Sequence, residues 1–139
     1  MDLTATQAQA TGQEITLRTI AMPEDTNPAG DIFGGWLLSQ MDLAAFARSS
    51  EFCGHRTVTA AVREMTFRKP VKVGDTVLIH TSIVKTGRTS MTLQVEAWRR
   101  HRQTAPEKVT EGIFIMVAVD DDGQPRPLNL REAAAAESV

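Results

Sequence analysis

A single cysteine, Cys53, excludes an internal disulfide framework and supplies neither a CxxC pair nor a Cys/His metal spacing. A reducing cytoplasm suits such a chain. No apolar run approaches the length of a membrane span. The opening "MDLTATQAQATGQ" lacks a cationic start and an apolar h-region, so no secretory signal is expected there. Basic excess is missing too. Fifteen Lys and Arg against 17 Asp and Glu leave a formal charge of −2, which gives no footprint for nucleic acid or an anionic membrane surface. His55, His80 and His101 are scattered and form no ligand cluster. No internal repeat is visible.

What remains is a chain of 139 residues, 42% hydrophobic, long enough for one domain with a real core. Residues 1–13 read as a flexible arm, 14–130 as the domain and 131–139 as a tail. "EITLRTI" alternates as a strand. A loop with Pro23, Asn27, Pro28 and Gly30 leads into an apolar helix. Beyond Gly54 the period changes to two. In "RTVTAAVREMTF", Val58, Ala60 and Val62 oppose Thr57, Thr59 and Arg63, which predicts a half-buried strand. "TVLIHTSIVKTG", "RTSMTLQVEAWRR" and "EKVTEGIFIMVAVD" predict three more strands, joined by short turns. The order β-α-β-β-β-β with short connections implies α+β: an antiparallel sheet of about five strands curled around one long helix. Such a sheet leaves edges and an outer face to cover, and self-association is the natural cover.

The helix in "NPAGDIFGGWLLSQMDLAAFARS" is apolar on nearly every side, yet carries Asp42. An ionised carboxylate there is costly unless it is paired, hydrogen-bonded or opens onto a wet cleft. Two readings stand at this point: a structural partner such as an arginine, or a reactive acid at a cleft between subunits. Gly34 and Gly35 open the same helix, where unpaired N–H groups and the positive dipole end suit a developing oxyanion. Asp42 lies two turns beyond Gly35, on the same side of the helix. Tight turning or close backbone packing would explain the glycine pair equally well.

"AMPEDTNPAGDIFGGWLLSQMDLAAFA", continued by "VTAAVREMTFRKPVKVGD", "VKTGRTSMTLQVEAW" and "FIMVAVDDDG", resembles the hotdog-fold acyl-CoA thioesterases of the YciA type. The resemblance spans roughly residues 15 to 123. It implies a hotdog fold, two hotdogs paired into one continuous sheet, three such dimers in a hexamer, and hydrolysis of acyl-CoA to fatty acid and coenzyme A. It further implies Asp42 as general base or nucleophile, the Gly34 and Gly35 amides as oxyanion donors, and Asn27 as a loop-structuring or substrate-touching residue. Asp42 of one chain would face the "GDIFGG" loop of the other. Asp31 stands where tandem-domain relatives place a catalytic asparagine; an Asx-type loop cap is the plain alternative.

Coenzyme A needs anchors. Gly87 permits a turn at "TGRTSM", where Arg88, Thr89 and Ser90 offer donors, and an arginine fork suits phosphate oxygens. Lys69 is a weaker candidate, and Phe33, Trp36 and Phe67 are candidate lining for the acyl chain, with plain core as their alternative role. Hydrolysis of a thioester calls for no metal and no resident cofactor. The rival reading is a hotdog module that binds acyl-CoA without turning it over. A dehydratase would carry a histidine in the helix region, and none precedes Cys53. Cys53 itself has no base arranged beside it and reads as inert.

Overall fold

A computed structural model describes residues 12–128. The order is β1 (Glu14–Ile20), a short 3-10 turn (Pro23–Asp25), α1 (Gly34–Cys53), β2 (Thr57–Phe67), β3 (Thr76–Thr86), β4 (Ser90–Arg100) and β5 (Glu107–Ala118). All five strands join one antiparallel sheet in the order β1-β3-β4-β5-β2. β3, β4 and β5 pair consecutively because the turns between them are short. The intervening helix sends β2 to the opposite edge from β1. The expected N-terminal arm and C-terminal tail fall outside the described residues, apart from Gly12 and Gln13.

α1 runs unbroken because its 20 residues contain no proline and its good helix formers bury one stripe. Leu37, Met41, Ala44, Ala45, Arg48, Ser49 and Cys53 form that stripe. The helix stops at Gly54, whose left-handed φ of 74° lets its N–H donate to the Ser50 carbonyl. Against it pack Val77, Ile79 and Ile83 of β3, Met91, Leu93, Val95 and Ala97 of β4, and Phe114 and Met116 of β5. These alternate along each strand, so one face of the sheet supplies the core. Each fully buried large side chain contributes about 1.5–3 kcal/mol.

The buried stripe includes a cation. Arg48 pairs with Glu14 at 2.9 Å and donates to the carbonyls of Thr81 and Gly12, so its charge is offset as β1 is tied to the helix. The opposite side of α1 is not wrapped: Leu43 is 52% and Phe46 43% exposed. The expected half-burial of Val58 and Val62 is also wrong for a single chain; they are 42% and 39% exposed. β2 is the sheet's edge, and bulges after Thr59 and Arg63 break the alternation that predicted an inner face.

Candidate functional site

The loop before α1 is built by Asn27. Its carboxamide oxygen accepts the N–H groups of Ala29 and Asp31, both at 3.0 Å, and its own N–H donates to the Asp31 carbonyl. Thr26 and Ile32 bridge across the loop, and the Phe33 N–H donates to the Asp25 carbonyl. The loop is thus closed on itself before the helix begins. The Asx-type cap that is the plain alternative for Asp31 is made by Asn27 instead. The Asp31 carboxylate turns outward to Lys72 at 3.2 Å.

Gly34 and Gly35 are the first two residues of α1, and no side chain caps the start. The first intrahelical bond runs from the Leu37 N–H to the Phe33 carbonyl, so the preceding amides have no helical acceptor. Neither glycine has a positive φ. A Cβ on Gly34 would sit 3.7 Å from the Phe67 ring, an ordinary contact, and one on Gly35 would meet nothing within 4 Å. The chain's own fold therefore needs glycine at neither place. A cleft of about 380 Å³ opens beside the helix start, lined by Phe33, Gly34, Leu37, Phe67, Lys69 and Val109 among others. Phe33 and Phe67 are each about half exposed at this cleft. Arg68, which "FRKP" sets beside Lys69 at the expected cleft mouth, lines it too; Leu37 and Val109 escaped the sequence reading as lining because core residues carry no local signal of a cleft wall.

The cations at the cleft are already engaged. Lys69 binds Glu107 at 3.0 Å, Arg99 binds the same carboxylate at 3.3 Å, and Arg68 binds Glu111 at 3.1 Å. The Lys69 ammonium, helped by Arg99, holds the Glu107 carboxyl below its ordinary value. Trp36 does not line the cleft; it packs half-buried against the core.

Asp42 stands in the third turn of α1, half-buried, and accepts a hydrogen bond from the Thr59 hydroxyl of β2 at 2.5 Å. Thr59 was missed in the sequence, because 17 residues separate it from Asp42 and only the helix-to-edge packing brings them together. At 1.5 Å per residue, Asp42 lies about 10 Å along the helix from Gly35. The two share a side of the helix, as expected, but they cannot touch one carbonyl group from within one chain.

The turn at Gly87, Arg88, Thr89 and Ser90 lies elsewhere. The Gly87 N–H donates to the Ser90 carbonyl at 2.8 Å, and a Cβ on Gly87 would fall 2.7 Å from the Ser90 hydroxyl, which would have to rotate aside. Backbone bonds from Leu128 to Arg88 and from Ala118 to Thr89 fasten the turn. Ser90 pairs with Val117 and Ala118 with Thr57, which places the turn at the C-terminal end of α1. The cleft is at the other end, beside Phe67 and Val109. One chain thus presents three separate features: helix start with cleft, mid-helix acid, and basic turn. Burial pushes the Cys53 thiol up, in keeping with an inert side chain. Among the described residues no group of His, Cys, Asp and Glu is placed to hold a metal ion, and no helix is long and apolar enough to cross a membrane.

The thioesterase superfamily model matches residues 29–105, from the Asn27 loop through β4. The chain is 50% identical over 119 residues to an acyl-CoA thioester hydrolase, YciA, of Salmonella typhimurium, covering 83% of this chain and 90% of the relative. The Escherichia coli YciA is 45% identical over the same length, with the same coverage. Among solved structures, a hexameric thioesterase from Yersinia pestis superposes with a TM-score of 0.80 at 49% identity, covering 83% of this chain and 94% of the other. A hexameric hotdog fold thioesterase of Campylobacter jejuni gives 0.81 at 35% identity, covering 91% and 97%. The sheet order, the long helix and these matches agree: the chain belongs to the thioesterase superfamily, in its hotdog-fold YciA branch.

Proposed function

We propose that the chain hydrolyses acyl-CoA at a site completed by two copies of itself. The observation that carries this reading is the separation within one chain of two features that the reaction needs together. Oxyanion donors at Gly34 and Gly35 border an open cleft, and the acid is about 10 Å further along the helix. Two copies whose β2 edges and helices run antiparallel would bring the Asp42 of each beside the helix start of the other. The exposed apolar residues around Asp42 and along β2, namely Leu43, Phe46, Val58 and Val62, are what such a partner would cover. That cover would also exclude water and strengthen each polar contact inside.

In this reading the thioester carbonyl oxygen rests on the N–H groups of Gly34 and Gly35. Asp42 takes a proton from water as its oxygen attacks the carbonyl carbon, with Thr59 holding the carboxylate in one orientation. The tetrahedral species collapses, the C–S bond breaks, and coenzyme A leaves as the thiolate and takes up a proton. The products are a carboxylic acid and coenzyme A. Direct attack by the Asp42 carboxylate, with an anhydride then hydrolysed, satisfies the same placement. Asn27 shapes the loop, Phe33 and Phe67 border the acyl chain, and the basic turn at Arg88 and Ser90 anchors coenzyme A from a neighbouring chain. Coenzyme A is part of the substrate, and the scheme draws on no resident cofactor. A cytoplasmic homo-oligomer of three such dimers, six chains in all like the hexameric relatives, accommodates the scheme.

The test is thioester cleavage across acyl-CoAs from acetyl to palmitoyl, with wild type beside Asp42→Asn. Turnover that falls by about 10²–10⁴ in the variant supports the assignment. Binding of coenzyme A with no turnover of any acyl-CoA would move the assignment to a non-catalytic acyl-CoA-binding module.

A further inference from the structure

The face of the sheet turned away from α1 carries a second concave feature. Val77 and Ile79 point into the core, so Thr76 and Leu78, which alternate with them, point to the other face. Across the strands, Ile20 of β1, Thr76 of β3 and Arg100 of β4 stand in one row, and Arg18, Leu78 and Trp98 in the next. A groove of about 590 Å³ opens over these rows, lined by Arg18, Thr19, Ile20, Met22, Thr76 and Arg100.

Among the described residues, Arg18 and Arg100 take part in none of the ion pairs or side-chain hydrogen bonds, unlike Arg48, Arg68 and Arg99. Arg100 is half-buried, and its Nε–H is fully buried without an acceptor. The nearby carboxylates are committed elsewhere. Asp25 accepts the Met22 N–H at 3.0 Å, and the buried Asp75 accepts from the Lys72 N–H and faces the His101 ring. Glu24, exposed on the short turn, pairs with neither arginine. With strands about 4.8 Å apart and a rise of about 3.4 Å per residue, the Cα atoms of Arg18 and Arg100 lie about 12 Å apart, a span that two arginine side chains can close on one ligand.

We propose that this groove binds a phosphate ester or diphosphate. Two planar guanidinium forks match the paired oxygens and double charge of a phosphoryl group better than a single carboxylate does. Thr76 adds a hydroxyl donor on the floor. Ile20 and Met22, each about half exposed on the rim, give the organic part of an ester an apolar surface to lie on. The ligand has two chemical sources: the phosphates of coenzyme A in the substrate, or a separate phosphorylated small molecule. None of the groove residues belongs to the proposed hydrolytic machinery, so phosphate binding at the groove stands or falls apart from hydrolysis, and only the assignment of its source rests on that reading.

The probe is pyrophosphate, titrated calorimetrically into the full-length oligomer. Wild type should bind it, and Arg100→Gln should weaken binding by about tenfold, the worth of one charge-assisted contact. Arg18→Gln should do the same from the exposed strand edge, where it leaves the fold intact, and guards against a misfolded Arg100 variant. An absence of binding by wild type, or affinities unchanged in both variants, overturns the proposal. The source is read with two substrates, acetyl-CoA and acetyl-pantetheine, the second lacking phosphate. A KM raised in the variants for acetyl-CoA alone identifies the substrate's own phosphates as the ligand. Unchanged KM values with pyrophosphate affinity lost identify a separate phosphorylated ligand. The pyrophosphate titration reads the groove even if no thioester is cleaved.

Discussion

The proposed shared site has a consequence that a mixing experiment reads directly. Asp42→Asn removes the proposed base but keeps a partner for Thr59, and Gly35→Val fills the open space over the helix start, where a Cβ meets nothing of its own chain. Each lesion alone should reduce turnover by about 10²–10³ or more. Unfolding the two variants together in urea and refolding them at equal amounts gives about half mixed dimers. In a mixed dimer one site receives both lesions and the other receives neither. Activity should then return to about one quarter of wild type, because half of the dimers each hold one intact site out of two. A site made within one chain predicts no recovery at all, since every chain carries a lesion. The assay is coenzyme A release from an acyl-CoA, with native mass spectrometry to count mixed dimers and an unrefolded mixture as control. Verified mixed dimers with activity no higher than the parents would refute the shared site and the 10 Å argument behind it.

Thr59→Val should leave the unfolding midpoint nearly unchanged, since Thr59 is exposed on an edge strand, yet lower kcat by about tenfold through loss of the bond that orients Asp42; equal kcat would show that the bond is incidental. Burial pushes the His80 imidazole below its ordinary value, against the pull of Glu96. The unfolded chain therefore binds more protons through this interval, so His80's contribution to stability is intact above about pH 6.5 and is lost as pH falls below it. Urea midpoints measured across that range should drop on acidification, and less steeply in His80→Gln. Cys53, buried and with its thiol pushed up, should react with a thiol dye only after unfolding, at one equivalent per chain; rapid labelling of the native protein would contradict its burial. Phe114→Ala, at the fully buried centre of β5, should cost about 3–5 kcal/mol in urea unfolding while sparing the helix-start cleft.

Strand and helix periods were legible because each element repeats a local rule. "EITLRTI" coincides with β1, and the strands read after Gly54 match β2 to β5 within a residue or two at each end. The helix start at Gly34 was legible from the glycine pair. Exposure of β2 was not. Its alternation looks like any half-buried strand, and its position at the sheet edge depends on where the other strands go. Asn27 and Asp31 show the same limit in miniature: both are plausible loop caps by residue type, and the path of the backbone decided that Asn27 accepts the bonds.

By itself the sequence determined an antiparallel sheet around one apolar helix, an acid in that helix, and a positive helix end two turns before it. These follow from local chemistry: side-chain period, glycine's missing Cβ, and the cost of an isolated carboxylate. Only the tertiary structure decided which groups meet. It gave Asp42 a partner in Thr59, set the basic turn at Arg88 at the opposite end from the cleft, and gathered Arg18 and Arg100 over one groove. Distances between residues far apart in the chain are set by packing and strand order, and neither is written in any single stretch of residues.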